Sequence, residues 1–363
     1  MYMDYYKLLL IILVIILLFI VLSYLLKKRQ VILKMDKTPS VLEGLAAQDE
    51  VDALKRKYAP VKIKNVLTSI QNLPLRELCI KSSYSSAWSG YYISTDMIKL
   101  ILSRGYRYLD IPIYYGPDSI PYVFYSNDTN MIDSNNTISL DTVFKTIAAS
   151  AFSNICPNPA DPLFIELRIT PDKDYVIYGV IADLIQSNLI QKMYIDINNR
   201  AKLIYSTTSL STLMGKIILI INITNNEDFA SKSQPLSFLM NAILGKDFSL
   251  KTYRQFMKSN NTTSYSVINY NMPPTTNIDV YTTVMPEPTE SYPIPNIYSI
   301  ALSYGCQNLL MPFYANDPMI TFYESIFDDQ ATAFIPMGNM LLNGESYFSS
   351  KNPIKSKIAF GPF

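Results

Sequence analysis

The sequence predicts an α/β protein: a TIM-type (β/α)8 barrel preceded by a single N-terminal transmembrane helix and a helical stalk. Three observations predict this fold class. An uncharged apolar run near the N-terminus is long enough to cross a bilayer. A segment with a helix-start signal follows and ends at a proline. From Leu73 onward, β-rich runs alternate with helical patterns, and about eight strands in roughly 290 residues are typical of a barrel.

The predicted anchor, residues 1–27, is based on the run from Leu8 to Leu26, nineteen residues without a charged side chain. At 1.5 Å per residue, a helix of this length can cross a hydrocarbon core of roughly 30 Å. Lys27, Lys28 and Arg29 follow at once, which predicts a single-pass protein with its body on the cytosolic side. A cleaved signal peptide is the alternative, but the apolar run is longer and its positive charge lies on the other side.

Residues 28–72 are predicted to form a stalk between membrane and body. The segment from Ser40 to Glu43 has the pattern of a capping box, which marks the start of a helix. Helix-forming residues continue to Tyr58, and Pro60 ends them. We therefore expect one exposed helix in the stalk.

The body, residues 73–363, contains the predicted barrel. The run 216–223 is almost continuously apolar and β-branched, as expected for a strand buried on both faces. Helices are predicted at 94–102, 140–152 and 173–189. Strands are predicted at 78–82, 108–113, 122–125, 163–169, 216–223, 265–271, 280–285, 308–313 and 332–336.

The composition excludes several kinds of chemistry. The chain has 363 residues and no histidine, which excludes Ser-His-Asp and Cys-His catalysis, histidine-ligated metals and imidazole acid–base chemistry. Its 31 basic and 30 acidic residues give a net charge of +1, which argues against a nucleic-acid partner. Three cysteines at unrelated spacings indicate a reducing compartment. No cofactor and no metal are expected.

Six segments, taken in order, resemble motifs of the phosphoinositide-specific phospholipase C catalytic barrel. Segment 80–86, IKSSYSS, is similar to the family's I-S-S-S-H-N-T, and segment 105–116, GYRYLDIPIYYG, is similar to G-x-R-x-L-E-L-D-x-W-D-G. Segments 121–126, 162–168, 213–217 and 304–313 resemble P-x-I-x-H-G, P-V-I-L-S-L-E, L-x-G-K-I/V and N-x-G-x-Q-M-V-A-L-N-F. The resemblance covers residues 80–313 and implies a barrel with its site at the mouth.

The same resemblance implies that the original reaction is lost. The family's two catalytic histidines fall on Tyr84 and Tyr125. A phenol with a pKa near 10 is a poor proton carrier at neutral pH. We expect both tyrosines to fill the barrel mouth, while Trp88 fits either a membrane-dipping residue or a loop-packing residue.

The family's calcium ligands are also replaced. They fall on Ser85, Asp110, Pro112 and Arg168, so that only Asp110 keeps a carboxylate, whereas calcium binds six to eight oxygens. In bacterial relatives an arginine takes the place of calcium, which makes Arg168 and Asp110 the candidate ligand-binding residues. The alternative, which we prefer, is that the two side chains simply pair across neighbouring strand ends. The lysines that bind ring phosphates in the family are replaced by residues 218–222.

These replacements favour a catalytically inactive, membrane-anchored pseudoenzyme that serves as a structural or interaction module. A composition rich in Asn, Ile and Tyr and poor in Gly is typical of an AT-rich genome. With the anchor, this makes a minor capsid protein in the virion membrane of a large DNA virus a candidate, with other proteins of the assembly as partners. The alternatives are a divergent, metal-independent phosphoinositide phosphodiesterase and a lipid-headgroup binder without turnover.

Overall fold

The computed structural model describes residues 2–35, 41–115, 119–126, 132–170, 175–222, 229, 233–260, 281–287, 295, 297, 300–302, 305–315 and 317–341. Its strands are β1 Leu78–Ser83, β2 Tyr108–Tyr115, β3 Pro121–Val123, β4 Ile138–Ser139, β5 Leu163–Thr170, β6 Ile217–Asn222, β7 Ala242–Leu244, β8 Ser249–Thr252, β9 Thr282–Met285, β10 Asn308–Met311 and β11 Phe334–Pro336. Its helices are α1 Tyr2–Met35, α2 Val41–Lys57, α3 Thr68–Gln71, α4 Thr95–Ser103, α5 Leu140–Ser150, α6 Tyr175–Asn188, α7 Gln234–Ser237, α8 Tyr253–Asn260 and α9 Pro318–Asp329.

Eight of the strands form a nearly closed parallel barrel. Neighbouring strands follow the order β7-β6-β5-β2-β1-β10-β9-β8, and each pair is parallel. A parallel bridge from Leu244 to Phe248 links the end of β7 to the residue before β8 and brings the two edges together. The TIM-type architecture predicted from the sequence is thereby confirmed. The antiparallel strands β3 and β4 extend from β2, and β11 pairs with β1.

The regular alternation of strand and helix follows from local signals. All six residues of β6 are buried, because the strand lies between the barrel interior and the surrounding helices. Helices α4 and α5 begin where Ser94 and Ser139 accept backbone N–H bonds from Asp96 and Thr142. Their apolar faces pack against the barrel.

The N-terminal segment forms the long helix α1, Tyr2–Met35. The fourteen apolar side chains from Leu9 to Leu22 are 46–70% exposed. Among the described residues, no helix is long and apolar enough to span a membrane. The anchor expected at Leu8 to Leu26 thus gains no support here and stays a prediction.

The predicted stalk helix forms as α2, but it is not exposed all round. Ala47, Val51 and Leu54 are buried, and α2 packs against α4. The spacing of these three residues gives α2 a narrow apolar stripe, which is enough to dock it on the body. The expectation of an exposed helix is therefore wrong along this face.

Several barrel elements differ from the sequence-based expectation. The strands β4, β7 and β8 and the helices α8 and α9 were not predicted, and the strand expected at 265–271 lies outside the described residues. Strand β7 has three residues, and β8 is half-buried along its whole length. Such short runs are below the length at which hydrophobic periodicity can distinguish a strand from a loop.

Candidate functional site

The site predicted at the barrel mouth is built from side chains at the carboxyl ends of four adjacent strands. Strands β2 and β5 pair in a register that sets Asp110 beside Glu166 and Pro112 beside Arg168. Because alternate residues of a strand face the same side, Glu166 and Arg168 both point into the barrel. We call Tyr84, Ser85, Asp110, Glu166, Arg168 and Asn222 the mouth cluster.

The Arg168–Asp110 ion pair lies at the centre of the mouth cluster. The Nη2 and Nε atoms of Arg168 donate to the two carboxylate oxygens of Asp110 at 2.8 and 3.2 Å. Asp110 is fully buried, and the Arg168 side chain is 19% exposed. Burial by itself lowers the pKa of the Arg168 guanidinium, but the charge of Asp110 outweighs this effect and raises it. The pairing expected from the sequence is confirmed.

The turn after β1 adds further hydrogen bonds to this ion pair. Ser85 has a φ of 44°, a left-handed conformation, and its backbone N–H donates to Asp110 Oδ2 at 2.9 Å. Arg168 Nη2 also donates to Ser85 Oγ at 3.4 Å. The positions that correspond to calcium ligands in the resembled family are thus occupied by the Arg168 guanidinium and by its hydrogen-bond partners Asp110 and Ser85.

Tyr84 lies directly against this ion pair. The Arg168 guanidinium carbon is 5.0 Å from the centre of the Tyr84 ring, a cation–π distance. Tyr84 is 4% exposed, and burial raises the pKa of its phenol. Its hydroxyl therefore stays protonated at neutral pH.

Glu166 is a member of the mouth cluster that sequence reasoning missed. Its side chain is completely buried and accepts bonds from Tyr108 Oη and Asn222 Nδ2, both at 2.9 Å. Burial, and then the charge of Asp110, raise the pKa of Glu166 to about 7. The signal was the Glu-x-Arg spacing on β5, which puts Glu166 on the same inward face as Arg168.

Tyr125, the second tyrosine at a family histidine position, is packed between aromatic rings. Its ring stacks on Trp88 with centroids 3.2 Å apart and planes at 13°. Tyr314 contacts both rings, at 4.1 Å from Trp88 and 5.7 Å from Tyr125. We call Trp88, Tyr125 and Tyr314 the aromatic plug, since each is at most 5% exposed. Trp88 is thus a packing residue, which decides between the two roles left open above.

The loop that carries Trp88 is held by helix α2. Glu50 accepts a hydrogen bond from the hydroxyl of Ser89 and from the backbone N–H groups of Tyr91, at 3.1 Å, and Tyr92, at 3.3 Å. A carboxylate that gathers several donors is a strong local clamp. The segment between the N-terminal helix and the body is therefore attached to the loop that covers the mouth, which the sequence did not indicate.

The mouth cluster does not provide a metal site. In the described residues, no group of three or more His, Cys, Asp or Glu side chains could hold a metal ion. Asp110 is bound by Arg168, and both oxygens of Glu166 accept hydrogen bonds. The arrangement fits a buried polar cluster whose charged side chains are paired with one another.

Comparisons with known proteins agree with the fold. No protein-family model matches the sequence. No curated protein matches it either. Among solved structures, PLC21 of L. pealei matches with a TM-score of 0.54 and 14% identity, over 73% of this chain and 37% of that one. PLC21 of S. officinalis matches with a TM-score of 0.54 and 16% identity, over 75% and 38%.

This chain thus matches less than two fifths of the length of either PLC21 structure. A calcium-dependent phosphoinositol-specific phospholipase C from Pseudomonas sp. is more distant, with 11% identity and a TM-score of 0.39 over 62% of this chain and 86% of that one. Together with the parallel barrel, the PLC21 matches show that this chain has a phospholipase C-like TIM-barrel fold.

Proposed function

We propose that this chain is a catalytically inactive, phospholipase C-like protein that is anchored in a membrane and acts as a structural or interaction module. The Arg168–Asp110 pair is the observation that carries the proposal. An arginine that stabilises a reacting phosphate needs its charge available to the substrate. Here Arg168 donates two hydrogen bonds to Asp110, and its guanidinium lies over the ring of Tyr84.

The positions of the missing acid and base support the same proposal. Tyr84 and Tyr125 are buried, and burial raises the pKa of both phenols above their usual range. A general acid or base works best when its pKa is near the operating pH. Trp88 and Tyr314 also cover Tyr125, so that a substrate would have to displace packed rings.

The anchor is the second half of the proposal. Helix α1 has fourteen consecutive exposed apolar side chains from Leu9 to Leu22, a surface that favours lipid over water. The basic residues that follow Leu26 would keep the body on the cytosolic side. Other proteins of a membrane-bound assembly, with a virion membrane as one candidate, are the proposed partners.

The test of inactivity uses the full chain in phosphatidylcholine nanodiscs that contain phosphatidylinositol or its bisphosphate. We expect no release of inositol phosphates above the protein-free level, with or without calcium, while an active phospholipase C run in parallel releases them. Release that is lost in Arg168→Lys but kept in the surface variant Arg200→Lys would overturn the proposal. Both variants retain a positive charge, which separates catalysis from folding.

The anchor is tested separately by membrane extraction. The full chain should stay with membranes at alkaline pH in carbonate, and deletion of residues 8–26 should release it. Extraction of the intact chain by carbonate would contradict the anchor without bearing on catalysis.

A metal-independent phosphodiesterase is the second candidate, and Glu166 is the observation that favours it. A carboxyl group with a pKa of about 7 can exchange a proton near neutral pH. If this candidate is correct, the rate of phosphatidylinositol turnover should change with pH near pH 7. This pH dependence should disappear in Glu166→Gln and remain in Glu77→Gln. Saturable headgroup binding without turnover would instead favour the headgroup-binding alternative.

A further inference from the structure

The end of the barrel opposite the mouth contains an open cavity of about 450 Å³. Lys216, which lines it, directly precedes β6, and Met193 bridges to Ile217 at the start of that strand. The cavity therefore lies at the amino ends of the strands. Its polar lining consists of Gln191, Tyr194, Asn199, Lys202, Thr212 and Lys216. None of the described residues that line it is an Asp or Glu.

The surroundings of the cavity carry more positive than negative charge. Lys202 lies with its Nζ atom 5.5 Å from the centre of the Tyr194 ring, and Arg200 stands 4.5 Å above the ring of Phe238. Asp196 lies near both, and its Oδ1 atom accepts the backbone N–H groups of Asn198 and Arg200 at 2.8 and 2.9 Å. These hydrogen bonds, that from Arg200 above all, lower the pKa of Asp196, so its carboxylate stays ionised and offsets one positive charge. Together with Lys216, the two cations still leave an excess of positive charge at the cavity.

Exposed apolar side chains occur on the segment that carries the lining residues Asn199 and Lys202, and on a residue bonded to Ala201 between them. Ile197 is at the tip of the turn closed by the Ile195–Ala201 bridge, and it is 98% exposed. Leu203 and Tyr205, each 59% exposed, lie on one side of the following extended segment, since Ile204 between them is buried. Phe238, 43% exposed, is held beside them by the hydrogen bond from Ala201 N to its carbonyl. We call Ile197, Leu203, Tyr205 and Phe238 the distal ridge.

We propose that the distal cavity and ridge bind anionic phospholipid at a bilayer surface, with the headgroup phosphate against Lys202 and Lys216 and the ridge in the interfacial layer. Charge complementarity selects an anionic surface. The ridge favours a bilayer over a free anion as the ligand. Its isoleucine at a turn tip is flanked by leucine and aromatic residues with basic neighbours, a combination that suits the lipid interface. This surface is separate from the mouth cluster and does not depend on whether the mouth is inactive.

The first experiment uses a local probe at the ridge. The three native cysteines are all buried, so Ile197→Cys in the full chain can be labelled selectively with an environment-sensitive dye. With the chain held in pure phosphatidylcholine nanodiscs, added phosphatidylserine vesicles should shift the dye emission to the blue. The same dye at Tyr91→Cys, 65% exposed on the mouth side, should not shift. Equal shifts at both positions, or none at Ile197, would overturn the proposal.

The second experiment tests the charge. Capture of phosphatidylserine vesicles by the nanodisc-held chain should fall at least tenfold in Lys202→Gln/Lys216→Gln. It should be nearly unchanged in Lys246→Gln/Lys258→Gln, which removes the same charge from two exposed lysines elsewhere. Equal losses in the two double variants would mean unspecific attraction and overturn the site. Inorganic phosphate that binds to the wild type without any vesicle capture would identify a free-anion site and overturn the bilayer assignment.

Discussion

The two ends of the barrel differ in how their charges and aromatic side chains are used. At the mouth, Asp110 and Glu166 are fully buried and bonded, and the aromatic plug is at most 5% exposed. At the opposite end, a cavity lined by two lysines is open, and Ile197 is 98% exposed. TIM-barrel enzymes keep their reactive side chains at the carboxyl end. Among the described residues, the side chains at that end are packed like a core, while the amino end exposes two lysines and the distal ridge.

The largest effect is expected from breaking the ion pair at the mouth. Asp110→Ala should lower the free energy of unfolding of the full chain by about 3 kcal/mol, because Arg168 then loses its partner in a mostly buried place. Chemical denaturation followed by circular dichroism measures this. Asp110→Ala/Arg168→Ala should be less destabilised than the sum of the two single variants. Additive losses would mean that the pair is not coupled and that the mouth is less core-like than its geometry indicates.

Removal of the aromatic plug should have a similar cost. Trp88→Ala should destabilise the fold by roughly 3 kcal/mol, since it removes the ring that packs on both Tyr125 and Tyr314. Trp88→Phe is the matched control and should recover at least half of the loss. If Trp88→Ala has the stability of the wild type, the mouth is open in solution and the comparison between the two ends fails.

Glu166 should make stability depend on pH in a direction opposite to that of a salt-bridged carboxylate. Its pKa of about 7 in the folded protein is above the ordinary value of 4.5, so between these values the folded state binds more protons than the unfolded state. The free energy of unfolding should therefore fall by on the order of 3 kcal/mol as pH rises from about 4.5 to about 7, and then level off.

Glu166→Gln should lose this slope, while Glu77→Gln, at the half-buried position before β1, should keep it. Thermal unfolding of the two variants and the wild type at several pH values gives the comparison. A slope that survives in Glu166→Gln would assign the titration to another group.

A smaller effect is expected at the clamp between α2 and the mouth loop. Glu50→Gln should cost about 1 kcal/mol and accelerate amide hydrogen exchange at residues 89–92, because the amide is a weaker acceptor than the carboxylate. The fluorescence of Trp88, the one tryptophan of the chain, should report the loosened loop. Asp49→Asn, at the exposed neighbouring position, should leave both signals unchanged.

The smallest effect on stability is expected at the distal end. Lys202→Gln/Lys216→Gln should change the free energy of unfolding by no more than about 0.5 kcal/mol, since both side chains are exposed. Denaturation curves that overlay the wild type would show that the fold does not depend on the two lysines. A loss above 1 kcal/mol would show that the lysines belong to the structural framework of the barrel.

The sequence by itself determined the barrel fold and predicted which side chains lie at its mouth. Long apolar strands such as β6 and capped helices such as α4 depend on local patterns, which a single sequence displays. The pairing of Asp110 with Arg168 could also be expected, because both residues are on predicted neighbouring strands and are two positions apart in register.

Only the tertiary structure decided what depends on contacts between distant segments. The stack of Trp88 on Tyr125 and Tyr314 and the clamp from Glu50 to the mouth loop join residues that are 37 to 226 positions apart. The burial of Glu166 depends on the closed interior of the barrel. Nor does any sequence motif connect Lys202, Lys216 and the ridge at Ile197. Local patterns carry no information on such distances, because it is the closure of the barrel that brings these side chains together or leaves them in solvent.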